Sequence, residues 1–411
     1  MKIKITPSVL SGEVYAPASK SYAHRLIILA CLSGKNITVK NVGNSKDVLA
    51  TAECMKNLGA DCQISGGDFT VKSFKAKAAA KIDCGESGST LRFLLPVIAA
   101  LGIRTQITGS EKLLSRPSDE LVSVLNAHGA GIENFTVKGK ISAGKYEIDG
   151  SVSSQYISGL LLAFSVLNGE SELIIKGKSV SENYVDITVD ALMDFGVKVE
   201  KTQNGYKVFG GYKPKSFYAV EGDYSGAAFM LAAGAIGEKV SVSGLNEQSK
   251  QGDKKIIEIL KKFGAKVDIK ENVITVSKDR LKGIEVDCEN IPDLAQIISV
   301  VAAFSEGKTV LKGISRLKYK ESDRIAAITD MLAAAEIKCN CDGETLFITG
   351  GKPKGGVFDS NNDHRTAMSC AMLAAGADGN SVINCAEAVG KSYPEFFKDY
   401  NKIGGKTDVV I

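Results

Sequence analysis

At 411 residues the chain is too long for one ordinary hydrophobic core, so two or more domains are expected. With 44% hydrophobic and 24% charged residues it has the make-up of a globular protein, which excludes a disordered chain. Its 51 Lys and Arg against 47 Asp and Glu leave a net charge of +4, too even for a nucleic-acid coat protein, so any anion site must come from local placement.

The opening MKIKITPSVL lacks the apolar core of a signal peptide, and no apolar run approaches the roughly 18 residues that span a bilayer. Nine cysteines are scattered without a CxxC pair, which reads as reduced thiols in a cytoplasmic protein. The first strong element is ASKSYAHRLIILACLSG, residues 18–34. Ser19 or Ser21 suits a helix cap, Leu26 to Leu32 suit a core, and Gly34 suits a left-handed stop. The same sequence of events then recurs along the chain. An apolar helix ending in glycine and followed by a strand closes at Gly34, Gly102, Gly169, Gly237, Gly307 and Gly379, in steps of 68, 67, 68, 70 and 72 residues. A second, amphipathic helix ends in MKNLGADCQI, LNAHGAGIENF, LMDFGVKVE, LKKFGAKVDI, a weaker LAAAEIKCN, and YNKIGGKTDVVI. The chain therefore reads as six copies of a strand–helix–strand–helix–strand–strand unit of about seventy residues. This is an α/β (α+β) architecture in which three units per core give two similar domains. Cys339-Asn340-Cys341 falls in one such strand and has no histidine beside it.

What stands before the helices is unusually polar. The first helices open with SKSYAHR, GESGSTLR, SVSSQYISG, EGDYSGAA, NIPDLAQ and NNDHRTAM, and the second with SKD, LLSRPSDE, SENY, KQGD, YKESDR and GKSYPE. A cap needs one oxygen, not Lys20, Ser21 and Arg25 together. Helix N-termini offer free N–H donors and partial positive charge, so with Lys20, Arg25, Arg116, Lys320, Arg324, Arg365 and Lys391 added they suit a polyanionic small ligand. Asp47, Asp119 and Asp253 read as caps and dipole partners, Arg92 as a partner of Glu86, and His128 as structural. His364, between Asp363 and Arg365 at a helix start, reads as functional. No Walker loop or GxGxxG is present, so no nucleotide cofactor is implied.

Taken together, KSYAHR, ESGSTLRF, LLSRPSDEL, SVSSQYISGLLLA, SENYVDIT, EGDYSGAA, IPDLA, YKESDRI, NNDHRTAM and GKSYPEFF resemble the 5-enolpyruvylshikimate-3-phosphate synthase family over essentially the whole chain. The resemblance implies two domains, residues 14–219 and residues 1–13 with 220–411, and an active site in the cleft between them. It implies transfer of the enolpyruvyl group of phosphoenolpyruvate to the 5-hydroxyl of shikimate 3-phosphate, with no metal or organic cofactor and no nucleic-acid or membrane partner; a monomer is expected. By resemblance Lys20, Ser21, Arg25, Ser153, Ser154, Gln155, Ser181, Asp293 and Lys320 hold shikimate 3-phosphate. Lys20, Gly88, Arg116, Gln155, Arg324, Arg365 and Lys391 hold phosphoenolpyruvate. Asp293 is the expected base and Glu321 the proton donor, assisted by Lys20 and His364. Two positions depart from the family pattern: Arg316 replaces a frequent Asn, and Glu86-Ser87-Gly88-Ser89 replaces a frequent Asn-Ala-Gly-Thr.

Two other readings compete. A sister enolpyruvyl transferase acting on UDP-N-acetylglucosamine shares the six-unit design but carries a reactive Cys where Arg104 to Arg116 has none. A nucleic-acid binder built on repeated αβ units would spread Lys and Arg along helix faces rather than beside Gly and Ser in loops.

Overall fold

Each repeat closes as one four-stranded sheet. The computed structural model describes residues 1–178 and 180–410, and six such sheets are found among them. The second repeat shows the plan: strand Ala79–Asp83, helix Gly88–Leu101, strand Arg104–Thr108, helix Asp119–Ala127, then the short strands Ile132–Glu133 and Thr136–Val137. The first two strands pair in parallel, the last pairs antiparallel with the second, and the third closes the edge. Parallel neighbours cannot be joined by a tight turn, and the intervening helix supplies the crossover.

The chain divides into two compact units, Ala18–Glu221 and Met1–Pro17 with Gly222–Ile411. The first boundary lies a few residues beyond the expected 13 because strand Ser11–Tyr15 is bound along its length to Lys239–Ser243. Ser11–Tyr15 precedes the helix Lys20–Leu32 in sequence yet serves the other unit. Conversely, Phe217–Ala219 precedes the helix Tyr224–Ile236 but pairs in parallel with Ile37–Lys40. Each unit thus borrows the first strand of one of its sheets. The N-terminal strand Lys2–Thr6 fills the last place of the sixth sheet, between Ser381–Asn384 and Lys406–Val410.

The first helix of each repeat packs inside its unit. Tyr224–Ile236 (YSGAAFMLAAGAI) carries no charge and is buried on every side, as a helix apolar all round must be. Close packing explains one internal irregularity. Pro96 cannot donate to the carbonyl of Arg92, and Gly159 of the neighbouring helix lies against that carbonyl, where a Cβ would come within 2.3 Å. Five of the six expected first-helix stops have positive φ: Gly34 66°, Gly102 69°, Gly169 104°, Gly307 85° and Gly379 108°. Gly237 does not, at φ −87°; it is required instead by the carbonyl of Leu10, which a Cβ would approach to 2.6 Å. Cys339–Cys341 is a strand, as its spacing suggests. No helix among the described residues is long and apolar enough to cross a membrane.

Candidate active site

In the unit Ala18–Glu221 the expected ligands gather at the N-termini of the buried helices Lys20–Leu32, Gly88–Leu101 and Ser154–Phe164. Lys20 begins the first and donates from Nζ to Asp47 Oδ2 at 2.7 Å, so Asp47, in the first turn of its own helix as a dipole partner should be, makes no cap bond and is also the counter-ion of Lys20. Ser21 lends its carbonyl to Arg25 Nη1 at 2.7 Å. The rest of the Arg25 guanidinium is spent on neutral groups: Nε donates to Thr188 Oγ1 at 2.7 Å, and Nη2 to Tyr184 O at 2.9 Å and Ser158 Oγ at 3.2 Å. It also lies 4.7 Å from the Phe93 ring centre. Burial lowers its pKa to about 10.

Gly88 opens the second helix, and its missing Cβ leaves room for two guanidiniums. An added Cβ would stand 2.8 Å from Arg116 Nη1 and 3.1 Å from Arg92 Nη1. Arg92 does not pair with Glu86. It donates to Gln155 Oε1 at 2.8 Å and Pro117 O at 3.1 Å, while Gln155 Nε2 donates to Ser89 Oγ at 3.1 Å. Burial first, and the charge of Arg116 second, lower the Arg92 pKa to about 10. Two arginines at the positive end of a helix are mutually unfavourable until an anion joins them. Ser153 caps the third helix by accepting from Gln155 N at 3.3 Å, and Ser154 is buried beside it. Ser181, before the helix Glu182–Asp194, sits at φ 54° and ψ 44°, a left-handed backbone that only a constrained non-glycine residue holds. Asp119 stands in the first turn of its helix, as a dipole partner should, but does not cap it; Ser118 holds that position, without a side-chain cap bond. His128 stacks on Tyr146 at 3.7 Å between ring centres, a structural place.

In the unit Met1–Pro17 with Gly222–Ile411 the expected residues gather around Asp293 and the mouth of the helix His364–Ala375. Asp293 follows Pro292 in a short 3-10 turn ahead of the helix Ala295–Ala303. Its Oδ1 accepts from Arg324 Nη1 at 2.7 Å and has Lys320 Nζ at 3.9 Å; its Oδ2 is 3.3 Å from Arg365 Nη2. Arg324 turns its Nε to Asp363 Oδ2 at 2.8 Å. Asp363, named in the sequence only as a flanking residue, is the hub. It caps the helix His364–Ala375 through Arg365 N at 2.9 Å and also accepts from Ser322 Oγ at 3.1 Å. Burial pushes its pKa up, but Arg324 overcomes this and holds the carboxylate below its ordinary range. Glu321 Oε2 lies 2.7 Å from His364 Nδ1, and His364 Nε2 is buried without a partner. Lys391 donates to the carbonyl of Asn362 and so joins the same helix mouth. Arg316 donates to Glu289 O at 2.7 Å, bracing the loop that leads to Asp293.

Asp253 was missed as more than a cap. It makes no cap bond; it accepts from Ser225 Oγ, and its Oδ1 is buried without a partner. Burial, then the charge of Asp293, raise its pKa to about 7. The signal lay in KQGD standing at a helix mouth. Ligand atoms of Glu321, Asp363 and His364 lie within 4.8 Å of one another, a spacing that suits a cation. The positive charge there is already that of Arg324, and a metal would have to displace it.

Comparison with known proteins shows the family and the fold. Residues 5–400 match the family described as EPSP synthase (3-phosphoshikimate 1-carboxyvinyltransferase). A 3-phosphoshikimate 1-carboxyvinyltransferase of Clostridium novyi (strain NT) is 40% identical over 430 residues, covering 99% of this chain and 98% of that one. One from Thermococcus kodakarensis is 37% identical over 397 residues, covering 95% and 97%. Among solved structures, EPSP synthase from Acinetobacter baumannii superposes with a TM-score of 0.84 at 26% identity, over 99% of this chain and 100% of that one. The enolpyruvyl transferase NikO from Streptomyces tendae shares the fold, with a TM-score of 0.79 at 16% identity over 99% and 98%. From its motifs, its six-sheet architecture and these likenesses, the chain belongs to the EPSP synthase family and is a transferase.

Proposed function

We propose that this chain transfers the enolpyruvyl group of phosphoenolpyruvate to the 5-hydroxyl of shikimate 3-phosphate, releasing inorganic phosphate. The observation that carries the reading is a division of charge between the two units. Arg25 and Arg92 are bonded to neutral groups among the described residues, whereas Asp293 is a carboxylate held by arginines. Helix mouths whose arginines meet neutral partners hold anions; a carboxylate among cations can hold a negative charge and still accept a proton.

In this reading Ser21, Arg25, Ser153, Ser154, Gln155, Ser181 and Lys320 hold the shikimate phosphate and ring. Lys20, Gly88, Arg116, Gln155, Arg324, Arg365 and Lys391 hold phosphoenolpyruvate, with Lys20 and Gln155 reaching both substrates. Asp293 takes the proton of the 5-hydroxyl as its oxygen attacks the central carbon of phosphoenolpyruvate. Glu321, oriented by His364, delivers a proton to the methylene carbon. When phosphate leaves, that carbon returns its proton to Glu321 and the double bond re-forms, while the proton held by Asp293 goes out with the phosphate. The Glu321–His364 contact supports the donor role, since an imidazole on one carboxylate oxygen fixes the direction of the other. Nine free cysteines agree with a reducing, cytoplasmic setting.

The test is a coupled phosphate assay. Release from phosphoenolpyruvate should require shikimate 3-phosphate and should not occur with UDP-N-acetylglucosamine. Release with the nucleotide sugar alone would replace this reading by the sister reaction.

A further inference from the structure

His24 lies on the first turns of the helix Lys20–Leu32 and is fully buried, yet no step above uses it. Its neighbour Arg25 turns toward Thr188, Ser158 and Tyr184, on the third repeat. His24 turns the other way and starts a chain of side chains. Its Nδ1 is 2.7 Å from Thr51 Oγ1; Thr51 Oγ1 is 2.6 Å from Thr90 Oγ1; Thr90 Oγ1 donates to Ser87 Oγ at 2.7 Å. All four side chains are fully buried, and they lie on three different helices or their caps.

The chain has a direction. Thr90 spends its proton on Ser87, so Thr51 donates to Thr90 and the imidazole N–H at Nδ1 donates to Thr51. Nε2 is then a bare lone pair, and it is indeed buried without a partner. Protonating it would bury an unpartnered N–H, and burial together with Lys20 and Arg25 holds the His24 pKa well below its usual value. The imidazole therefore remains a fixed, neutral donor.

The far end of the chain and its middle reach groups assigned above to phosphoenolpyruvate. Ser87 is the cap immediately before Gly88, and its Oγ also accepts from Thr90 N at 3.2 Å. Midway, the carbonyl of Asp47 lies 3.4 Å from the hydroxyls of both Thr51 and Thr90, while its carboxylate holds Lys20. We propose that His24 is a positioning residue: through Thr51 and Thr90 it fixes the Ser87–Ser89 loop and the Asp47–Lys20 pair in the geometry that receives the phosphoenolpyruvate anion. This rests on the functional reading given above. Lys20 and Gln155, which meets Ser89, serve both substrates, but the serines that hold shikimate 3-phosphate in that reading, Ser153, Ser154 and Ser181, stand on the side that Arg25 ties, so phosphoenolpyruvate should respond the more strongly.

The experiment is steady-state kinetics on Thr51→Val, which keeps the shape and removes the central hydroxyl, on Ser87→Ala, and on the double variant. Thr51→Val and Ser87→Ala should each raise KM for phosphoenolpyruvate about tenfold, with KM for shikimate 3-phosphate within about twofold, as expected for a displaced loop. Because both cut one chain, the double variant should be no worse than the more impaired single one. His24→Asn, which retains an N–H donor, should fall between wild type and Thr51→Val. Equal rises in both KM values, an unchanged KM for phosphoenolpyruvate, or multiplying effects in the double variant would overturn the proposal. If Thr51→Val does not fold, Ser87→Ala and His24→Asn decide on the same criteria. A wild-type protein that releases no phosphate from the substrate pair overturns the functional reading instead, and the ligand named here falls with it.

Discussion

In the proposed mechanism Asp293 must be ionised to act as a base and yet must not be frozen by its cations. Arg324 at 2.7 Å and Arg365 at 3.3 Å secure the first condition. Asp363 meets the second by taking most of the Arg324 guanidinium. Asp293→Asn keeps an oxygen for Arg324 and leaves Asp363 in place, so it should fold normally by circular dichroism and lose roughly a hundredfold or more in turnover. Near-normal turnover would remove Asp293 from the chemistry. Asp253 allows a different test. Its carboxyl titrates at about 7 in the folded protein against 3.8 for a free group. Between those values the folded state holds a proton that the unfolded chain has released. The stability it contributes is therefore complete below the lower value and is lost as pH rises through the upper one. Wild type should lose stability between about pH 4 and pH 7 by something of the order of a few kcal/mol, and Asp253→Asn should lose less. Calorimetric melting curves that shift in parallel for the two proteins would contradict this.

Helix stops show how local chemistry and repeat geometry agree, and where they part. Five second-helix stops have positive φ at glycine: Gly59 126°, Gly129 95°, Gly196 77°, Gly264 105° and Gly404 94°. The weak copy LAAAEIKCN makes the same turn with Glu336 at φ 57°. The Cβ of Glu336 crowds a backbone conformation that glycine adopts without strain, and the side chain is exposed. Glu336→Gly should therefore stabilise the protein by about 0.5–1 kcal/mol, after the greater freedom of glycine in the unfolded chain is deducted. A rise in the urea midpoint checks it, and a fall would mean that the Glu336 side chain makes a contact worth more than the strain.

At the scale of the whole molecule, the chain termini meet inside a sheet. Lys2 pairs with Val410 and Thr6 with Lys406, antiparallel and in register. Every other repeat joins its third and fourth strands by a hairpin, as Cys339–Cys341 and Leu346–Thr349 are joined through the exposed turn at Gly343. The sixth repeat is the same hairpin with its turn left open. A circular permutant that links the termini through a short Asn-Gly turn and opens at Gly343 should fold and retain turnover within a few-fold, because it only moves the open turn from one repeat to another. An unfolded product would show that the order of strand addition, not the final pairing, makes the fold accessible. Removing residues 1–6 should be far more harmful. It strips the buried Ile3 and Ile5 from the core and leaves two strands without their shared neighbour.

The repeats, their glycine stops and the polar helix mouths were legible in the sequence because they are local. A left-handed stop, a cap or an uncharged buried helix is decided by residues within a few positions of one another. The resemblance to a family, carried by the same short motifs, was legible for the same reason. The resemblance already placed the crossovers near residues 13 and 220, but only the tertiary structure decided which strands pair there, since Ser11–Tyr15 and Phe217–Ala219 each precede a helix that belongs to the other unit, and no local preference encodes a partner more than a hundred residues away. It also decided what the charges do. Asp47 looks like a cap and is the counter-ion of Lys20, Arg92 turns from Glu86 to Gln155, and Asp363 becomes a hub. Spacing along a chain says which side chains are available, but ion pairing and burial depend on distances across packed helices, and those exist only once the repeats have closed.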